Sequence, residues 1–385
     1  MKGEAPLFSV IIPTKNRSSI VGMAIESVLR QTFGDFEIIV SDNDDSPTAT
    51  REAVEMFSDP RIHYYRTSGN LSMPDNWEFA ISRVSGGYIT LLEDKQVLYP
   101  DALETLHKVL AGGDVKCVVW MNDKLDDTFI PPVFYRYTGS GKVNEKPTND
   151  ILKQLCLERI DYPSLPRMMN SLVSTDFVRF AQRESGLNRY FDLVNPDFVS
   201  AFIQLNYLDR ITFVDKSLNI TGGRALSNGL SGRKKGETAR RFINEVGESR
   251  FFDFVPLKIV TANNAIMNDY NRIRSTLDGN LRRHEITPEA YMAMCYADII
   301  ENEKLGTDMR GERKLWKELL NTMDPAVKRQ VRQRTKSIAF RRRISGAPIL
   351  SPLLNVVRKL RKSQGQVEMV TGYQNAFEAA GFITG

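Results

Sequence analysis

Tyr88-Ile-Thr-Leu-Leu-Glu93-Asp94-Lys95-Gln96 carries an apolar, β-prone run straight into a cluster of charge. A strand that delivers charged groups at its carboxyl end is building a site. The same pattern occurs twice upstream. Phe8-Ser-Val-Ile-Ile-Pro13-Thr14-Lys15-Asn16-Arg17 is a short β-branched run broken by proline, and Phe36-Glu-Ile-Ile-Val-Ser41-Asp42-Asn43-Asp44-Asp45 is a second run that ends in acids. Between them Ser18 or Ser19 is placed to cap a helix whose apolar positions Ile20, Met23, Ala24, Val28 and Leu29 follow the helical period. Strand, helix and strand at this spacing predict a parallel sheet with right-handed crossovers, whose ligands sit beyond the carboxyl ends of the strands. All three polar clusters are therefore expected on one edge.

The chain has 385 residues, 42% hydrophobic and 26% charged, which is ordinary for a globular protein able to bury a proper core. Cys117, Cys156 and Cys295 are scattered without CxxC spacing, and the histidines are His63, His107 and His284. That pattern argues against a disulfide framework or structural zinc and fits a reducing cytoplasm. Met1-Lys-Gly-Glu-Ala-Pro leads into the first strand without an apolar leader, so no secretory signal is expected. The apolar stretch from Ala347 to Val357 is interrupted by Pro348, Pro352 and Asn355 and falls short of the roughly 20 apolar residues a bilayer span needs.

The net charge of +5 is unevenly placed. Between Pro325 and Val367 stand twelve basic residues and no Asp or Glu, so the remaining 40 basic and 47 acidic residues leave the rest of the chain at −7. The basicity belongs to the C-terminal segment.

Further along, Pro100-Asp101 can open a helix through Leu110, and Lys116–Met121 reads as a strand. Asn122 to about Leu165 looks like an insertion whose Phe134, Tyr135 and Tyr137 either stack on a ligand's rings or pack the insertion onto the sheet. Pro166–Thr175 holds a strand, and Asn195-Pro196-Asp197 opens a helix, since proline at the first helical position and an acid just after it favour a helix start. Ile211–Val214 is another strand, followed by a glycine-rich basic loop with Arg233, Lys234 and Lys235 that suits a lid. From Glu237 to about Met323 the pattern is helical, notably Pro288–Glu303 and Glu312–Met323.

The strings Ser9–Arg17, Ala24–Thr32, Glu37–Asn43 and Gly87–Asp94 together resemble the family 2 glycosyltransferases of the GT-A fold. The resemblance covers roughly the first 225 residues and rests on several ordered motifs. It implies an α/β GT-A domain, Rossmann-like with a mostly parallel sheet flanked by helices, over residues 1–225. A helical extension over 226–324, beginning with the lid loop, and a basic amphipathic segment over 325–385 lie outside it.

The resemblance also implies roles. Pro13, Thr14, Arg17, Asp42, Asn70 and Asn76 fall where similar proteins contact the base and diphosphate of a nucleotide-sugar donor, although Asn76 could equally cap the next helix and Asp42–Asp45 could cap theirs. Similar proteins carry Asp-x-Asp at the end of the strand that here begins at Tyr88, the first acid on the ribose and the second on a divalent Mn or Mg. Here the first is Glu93 and the second position is Lys95, a cation in the usual metal-ligand place. Glu93 and Lys95, two apart on a strand, are expected to share a face, with Asp94 pointing elsewhere as the alternative metal ligand. Lys95 either meets the diphosphate as a fixed ammonium or pairs with a neighbouring acid. Asp197 falls where similar inverting enzymes hold their general base, but Pro196 replaces the acid that usually precedes it.

The implied activity is transfer of a sugar from a nucleoside diphosphate, expected to be UDP, to a hydroxyl on a glycan or lipid-linked acceptor in surface polysaccharide or glycolipid synthesis. A non-catalytic scaffold that binds nucleotide or glycan is the alternative. The basic residues of 325–367 alternate with or adjoin Phe340, Ile344, Leu353 and Val357, which suits an anionic membrane surface at the cytoplasmic face better than nucleic acid.

Overall fold

The computed structural model describes residues 5–68, 70–158, 162–184, 186–187, 189–192, 194–223, 233, 236–345 and 366–382. The β-branched runs form β1 (Phe8–Thr14) and β2 (Phe36–Asp42), joined through α1 (Ser18–Leu29). α2 (Ala49–Glu55) leads to β3 (Ile62–Arg66), and α3 (Met73–Ile81) leads to β4 (Tyr88–Leu91). β1 pairs in parallel with β2 and β4, and β2 with β3. The carboxyl ends Thr14, Asp42 and Leu91 therefore share one edge of the sheet, as the spacing predicts.

The next elements are β5 (Gln96–Leu98), α4 (Ala102–Leu110), β6 (Cys117–Asp126), β7 (Val133–Thr138), β8 (Val143–Pro147) and α5 (Thr148–Cys156). They are followed by β9 (Ser171–Ser174), α6 (Thr175–Glu184), α7 (Pro196–Tyr207) and β10 (Arg210–Thr221). β9 is antiparallel to both β4 and β6, so β6 runs the same way as β4, and β10 lies parallel to β6. β10 continues well past the expected Val214 and delivers Thr221 and Gly222 beside the end of β4, where the Gly222 amide donates to the Lys95 carbonyl at 3.1 Å.

Alternation along β1 divides the core between two faces. Val10 and Ile12 pack with Val21, Ile25, Ile38, Leu103 and Trp120 under α1 and α4, whereas Ile11 and Ile39 pack with Trp77, Ile89, Val199 and Phe202 under α3 and α7. The insertion takes the packing alternative for Phe134, which is fully buried. Tyr135 lies under the Lys124 ammonium, and the Tyr137 hydroxyl donates to Asp215.

The helical extension has a core of its own around Met292, Cys295, Ile299, Trp316 and Leu320. The helix Ala262–Thr276 joins it to the first domain, placing Met267 in that core and Ile266, Tyr270 and Ile273 in the core beneath α7.

Three local expectations need correction. Ser18 and Ser19 lie inside α1, whose cap position is Arg17, because Asn16 takes a left-handed φ of 58° and starts the helix one residue early. Glu93 and Lys95 are not strand residues, since β4 stops at Leu91 and a turn closes with the Gln96 amide donating to the Glu93 carbonyl at 2.8 Å. The segment 325–385 is not one basic unit. Its residues Gln366–Thr371 form β11, which pairs antiparallel with β7, and the helix Ala376–Ala379 buries Phe377 against Val97, Ile220 and Phe134. Val367 and Met369 stay exposed on β11, so the strand is made by its pairing with β7 and not by a local apolar pattern.

Candidate active site

The loop after β1 is shaped by its neighbour after β2. The Asn16 amide donates to Asp44, its side-chain amide donates to Asp45 at 2.9 Å, and the Asp45 amide returns a bond to Asn16 at 3.0 Å. Asp44 and Asp45 thereby fix the backbone that presents Arg17. Pro13 and Thr14 are buried at the end of β1, where the Thr14 hydroxyl donates to Asp94 Oδ2 at 2.9 Å and Arg17 Nη1 donates to Asp94 Oδ1 at 3.0 Å.

Asp94 points inward and is 2% exposed. Burial pushes its carboxyl up, the Arg17 charge pulls it down and Glu93 adds to the rise. Glu93 and Lys95 meet across the turn with Lys95 Nζ 3.2 Å from Glu93 Oε1, so Lys95 takes the pairing alternative in this structure. The turn is braced by Gln96, which accepts from the Glu93 amide at 3.0 Å and donates to the Thr221 hydroxyl at 3.1 Å.

These contacts decide how a divalent ion would fit. Each oxygen of Asp94 accepts one bond, from Thr14 or Arg17, and the Arg17 guanidinium beside it already neutralises its charge, while the nearby Lys95 ammonium repels a further cation. Among the described residues there is also no group of three His, Cys, Asp or Glu side chains able to hold an ion. A divalent ion at Asp94 would have to share that carboxylate with Thr14 and Arg17 and draw most of its ligands from outside the protein.

Asp42 is fully buried at the end of β2. It accepts from the Tyr64 hydroxyl, from Arg66 Nη1 at 2.8 Å and from the Asp44 amide at 2.8 Å. Arg66 was legible only through pairing, because it is the register partner of Asp42 on β3. Asn76 does not cap α3; Ser72 does, and Asn76 sits buried one turn on, accepting from Ser41 at 2.6 Å. Asn70 is exposed just before that cap. Arg233 lies 3.8 Å from Glu301 and its carbonyl accepts from the Thr307 hydroxyl, while Lys234 and Lys235 fall outside the described residues.

Asp197 stands in the first turn of α7, behind Pro196 at the first helical position, as its sequence predicts. Its carboxylate lies 3.4 Å from Arg167 Nη1, and each side chain is 15% exposed. Burial pushes the Asp197 carboxyl up, Arg167 opposes the rise, and the negative charge of Glu93 adds to it. The Glu93 charge is thus felt at Asp197, so the turn after β4 and the start of α7 share one electrostatic neighbourhood. Sequence reasoning missed Arg167, whose only signal is a basic residue entering β9 opposite the acid of α7.

Residues 9–157 match the family model described as Glycosyl transferase family 2. The chain carries a glycosyl transferase family 2 domain. This glycosyltransferase domain is 38% identical over 104 residues to GalNAc(5)-diNAcBac-PP-undecaprenol beta-1,3-glucosyltransferase of Campylobacter jejuni, a match covering 26% of this chain and 33% of that protein. It is 33% identical over 98 residues to the UDP-Glc:alpha-D-GlcNAc-diphosphoundecaprenol beta-1,3-glucosyltransferase WfgD of Escherichia coli, covering 26% of this chain and 38% of that protein. The chain thus matches about a third of the length of these curated relatives. Among solved structures, TarS 1-349 of S. aureus in complex with UDP-GlcNAc aligns over 79% of this chain and 93% of its own with a TM-score of 0.50 at 15% identity, which shows the GT-A fold.

Proposed function

We propose that this chain transfers a sugar from a UDP-sugar to a hydroxyl of a glycan or lipid-linked acceptor, with inversion, and that Asp197 is the general base. The observation that carries this reading is a largely buried carboxylate, Asp197, held by Arg167 at the start of α7, together with the charged Glu93–Lys95 turn that follows β4 at the carboxyl edge of β1, β2 and β4. Two curated relatives named for glucosyl transfer to diphosphoundecaprenol-linked sugars support the acceptor class.

In this mechanism Asp197 takes the proton of the acceptor hydroxyl as that oxygen bonds to the anomeric carbon. The bond from that carbon to the diphosphate breaks, and the nucleoside diphosphate leaves with the electron pair. Arg167 holds the Asp197 carboxylate in place, and the burial that raises its proton affinity makes it a better base. Thr14, Arg17, Asp42 and Arg66 belong to the donor side, and a base N–H would reach the buried Asp42 carboxylate only by displacing Tyr64 or Arg66 from it. Lys95 exchanges part of its contact with Glu93 for the diphosphate and, with Arg17, meets the leaving group's charge without a resident divalent ion.

Peripheral attachment to an anionic membrane belongs to the same reading. Arg329, Arg332 and Lys336 are exposed on the helix Pro325–Ser345, although Arg334 is turned to Glu158 and Glu289. Arg358, Lys359, Arg361 and Lys362 lie outside the described residues, as do the side chains of Arg341, Arg342 and Arg343. Among the described residues no helix is long and apolar enough to cross a membrane.

The test is Asp197→Asn, which keeps the shape but cannot accept the proton. Transfer should fall by about 100-fold to 10,000-fold while UDP binding stays within about threefold of wild type. Transfer at the wild-type rate would remove Asp197 as the base, and nucleotide bound but never consumed by the wild-type chain with any donor would favour the scaffold alternative.

A further inference from the structure

Asp269, on the helix Ala262–Thr276 of the extension, is fully buried, yet it has no ion-pair partner among the described residues. Its Oδ2 accepts two bonds from one residue, from the Asn195 amide at 2.9 Å and from Asn195 Nδ2 at 2.8 Å. Asn268 Nδ2 approaches Oδ1 at 3.5 Å, and the charge of Asp192, another acid, from the loop before α7, adds to the cost of ionising it. A buried carboxylate without a cation is costly to hold, and an asparagine could accept the same two bonds with no charge to bury.

Asn195 is the cap position of α7. Asparagine there ordinarily turns its side chain onto its own helix, but this one makes no such cap and points to Asp269 instead. The loop leading to it is pinned at its other end as well. Glu78 of α3 accepts from the Tyr190 and Phe191 amides at 3.1 and 2.9 Å, and Arg189 pairs with Asp75 at 2.6 Å. The start of α7 is thus held between the sheet domain and the extension, where the Asp269 carboxylate adds a directed polar hold on Asn195 to the apolar packing of Val194 on Phe251 and Ala265.

We propose that Asp269 is a positioning residue for Asp197: by holding Asn195, the helix Ala262–Thr276 sets the start of α7 so that Asp197 meets Arg167. The extension then belongs to the working parts of the site, through a residue two positions from the base. This rests on the reading of Asp197 as the base, but its structural half does not.

The experiment compares full-length Asp269→Leu and Asp269→Asn with wild type by amide hydrogen exchange and, separately, by transfer kinetics with UDP-sugars. Asp269→Leu should raise exchange across residues 197–201 by about tenfold or more while β1 and β2 stay protected. It should lower kcat by about tenfold or more with little change in donor KM. Asp269→Asn, whose amide oxygen still accepts from Asn195, should restore both within about threefold. Unchanged exchange at 197–201 in Asp269→Leu, or a rise spread equally over the whole sheet, overturns the proposal. Should that variant not fold, Asn195→Ala provides the same exchange comparison, because it removes one of the two bonds from the partner side. A wild-type chain with no transferase turnover would defeat the base assignment alone, since the exchange measurement still decides the positioning.

Discussion

Replacing Lys95 with alanine removes the ammonium that stands at the usual metal-ligand position and leaves Glu93 facing the site without its partner. Two unit charges about 4 Å apart attract by about 4 kcal/mol at an effective dielectric of about 20. Lys95 and Glu93 are 10% and 20% exposed, so solvent screens them only in part, but their 3.2 Å contact means that the diphosphate must share the ammonium. If about half of the attraction survives that competition, the ammonium contributes about 2 kcal/mol, or about 30-fold in affinity. The unpaired Glu93 of the variant repels phosphate and adds in the same direction. Calorimetric titration with UDP and with uridine, each with and without chelator, measures this. Lys95→Ala should weaken UDP by about 30-fold and leave uridine unchanged, wild type should bind UDP equally well with chelator, and Lys95→Asp should bind UDP only when Mn²⁺ is supplied. Loss of wild-type UDP binding on chelation, restored by Mn²⁺, would refute the reasoning, as would equal UDP affinity in wild type and Lys95→Ala.

Burial raises the Asp269 carboxyl from its ordinary 3.8 to about 7, so between those values the folded chain binds a proton that the unfolded chain has released. Stability should therefore fall as pH rises from about 4 to about 7, by up to about 4 kcal/mol, and Asp269→Asn should remove that part of the decline in pH-dependent denaturant titrations. An identical slope in the variant would place the proton elsewhere. Phe377→Ala should destabilise the chain by about 3 to 5 kcal/mol, because the ring is 3% exposed and stacks on Phe382 at 4.4 Å; an unchanged urea midpoint would show that the terminal segment does not close the sheet. Deleting residues 325–365 and rejoining the chain at β11 should abolish salt-sensitive co-sedimentation with phosphatidylserine vesicles, since each basic residue near such a surface is worth about 1 kcal/mol. Undiminished co-sedimentation would remove that segment as the membrane contact.

The sequence by itself determined the parts whose signal is local. β-branched runs that end in polar clusters at strand–helix spacing gave β1, β2 and β4 and their common edge, and Pro196 with Asp197 gave the start of α7, because periodicity and capping chemistry act within a few residues. Contacts between distant segments were decided only by tertiary structure. Asp42 meets Arg66 because β2 and β3 pair in register, Asp94 meets Thr14 and Arg17 because β1 ends beside it, and Glu93 meets Lys95 through a turn where strand alternation was expected. The return of 366–382 to the sheet and the hold of Asp269 on Asn195 join residues 74 or more positions apart. No periodic pattern encodes such pairings, because they depend on which buried polar group finds its donor once the chain has closed around it.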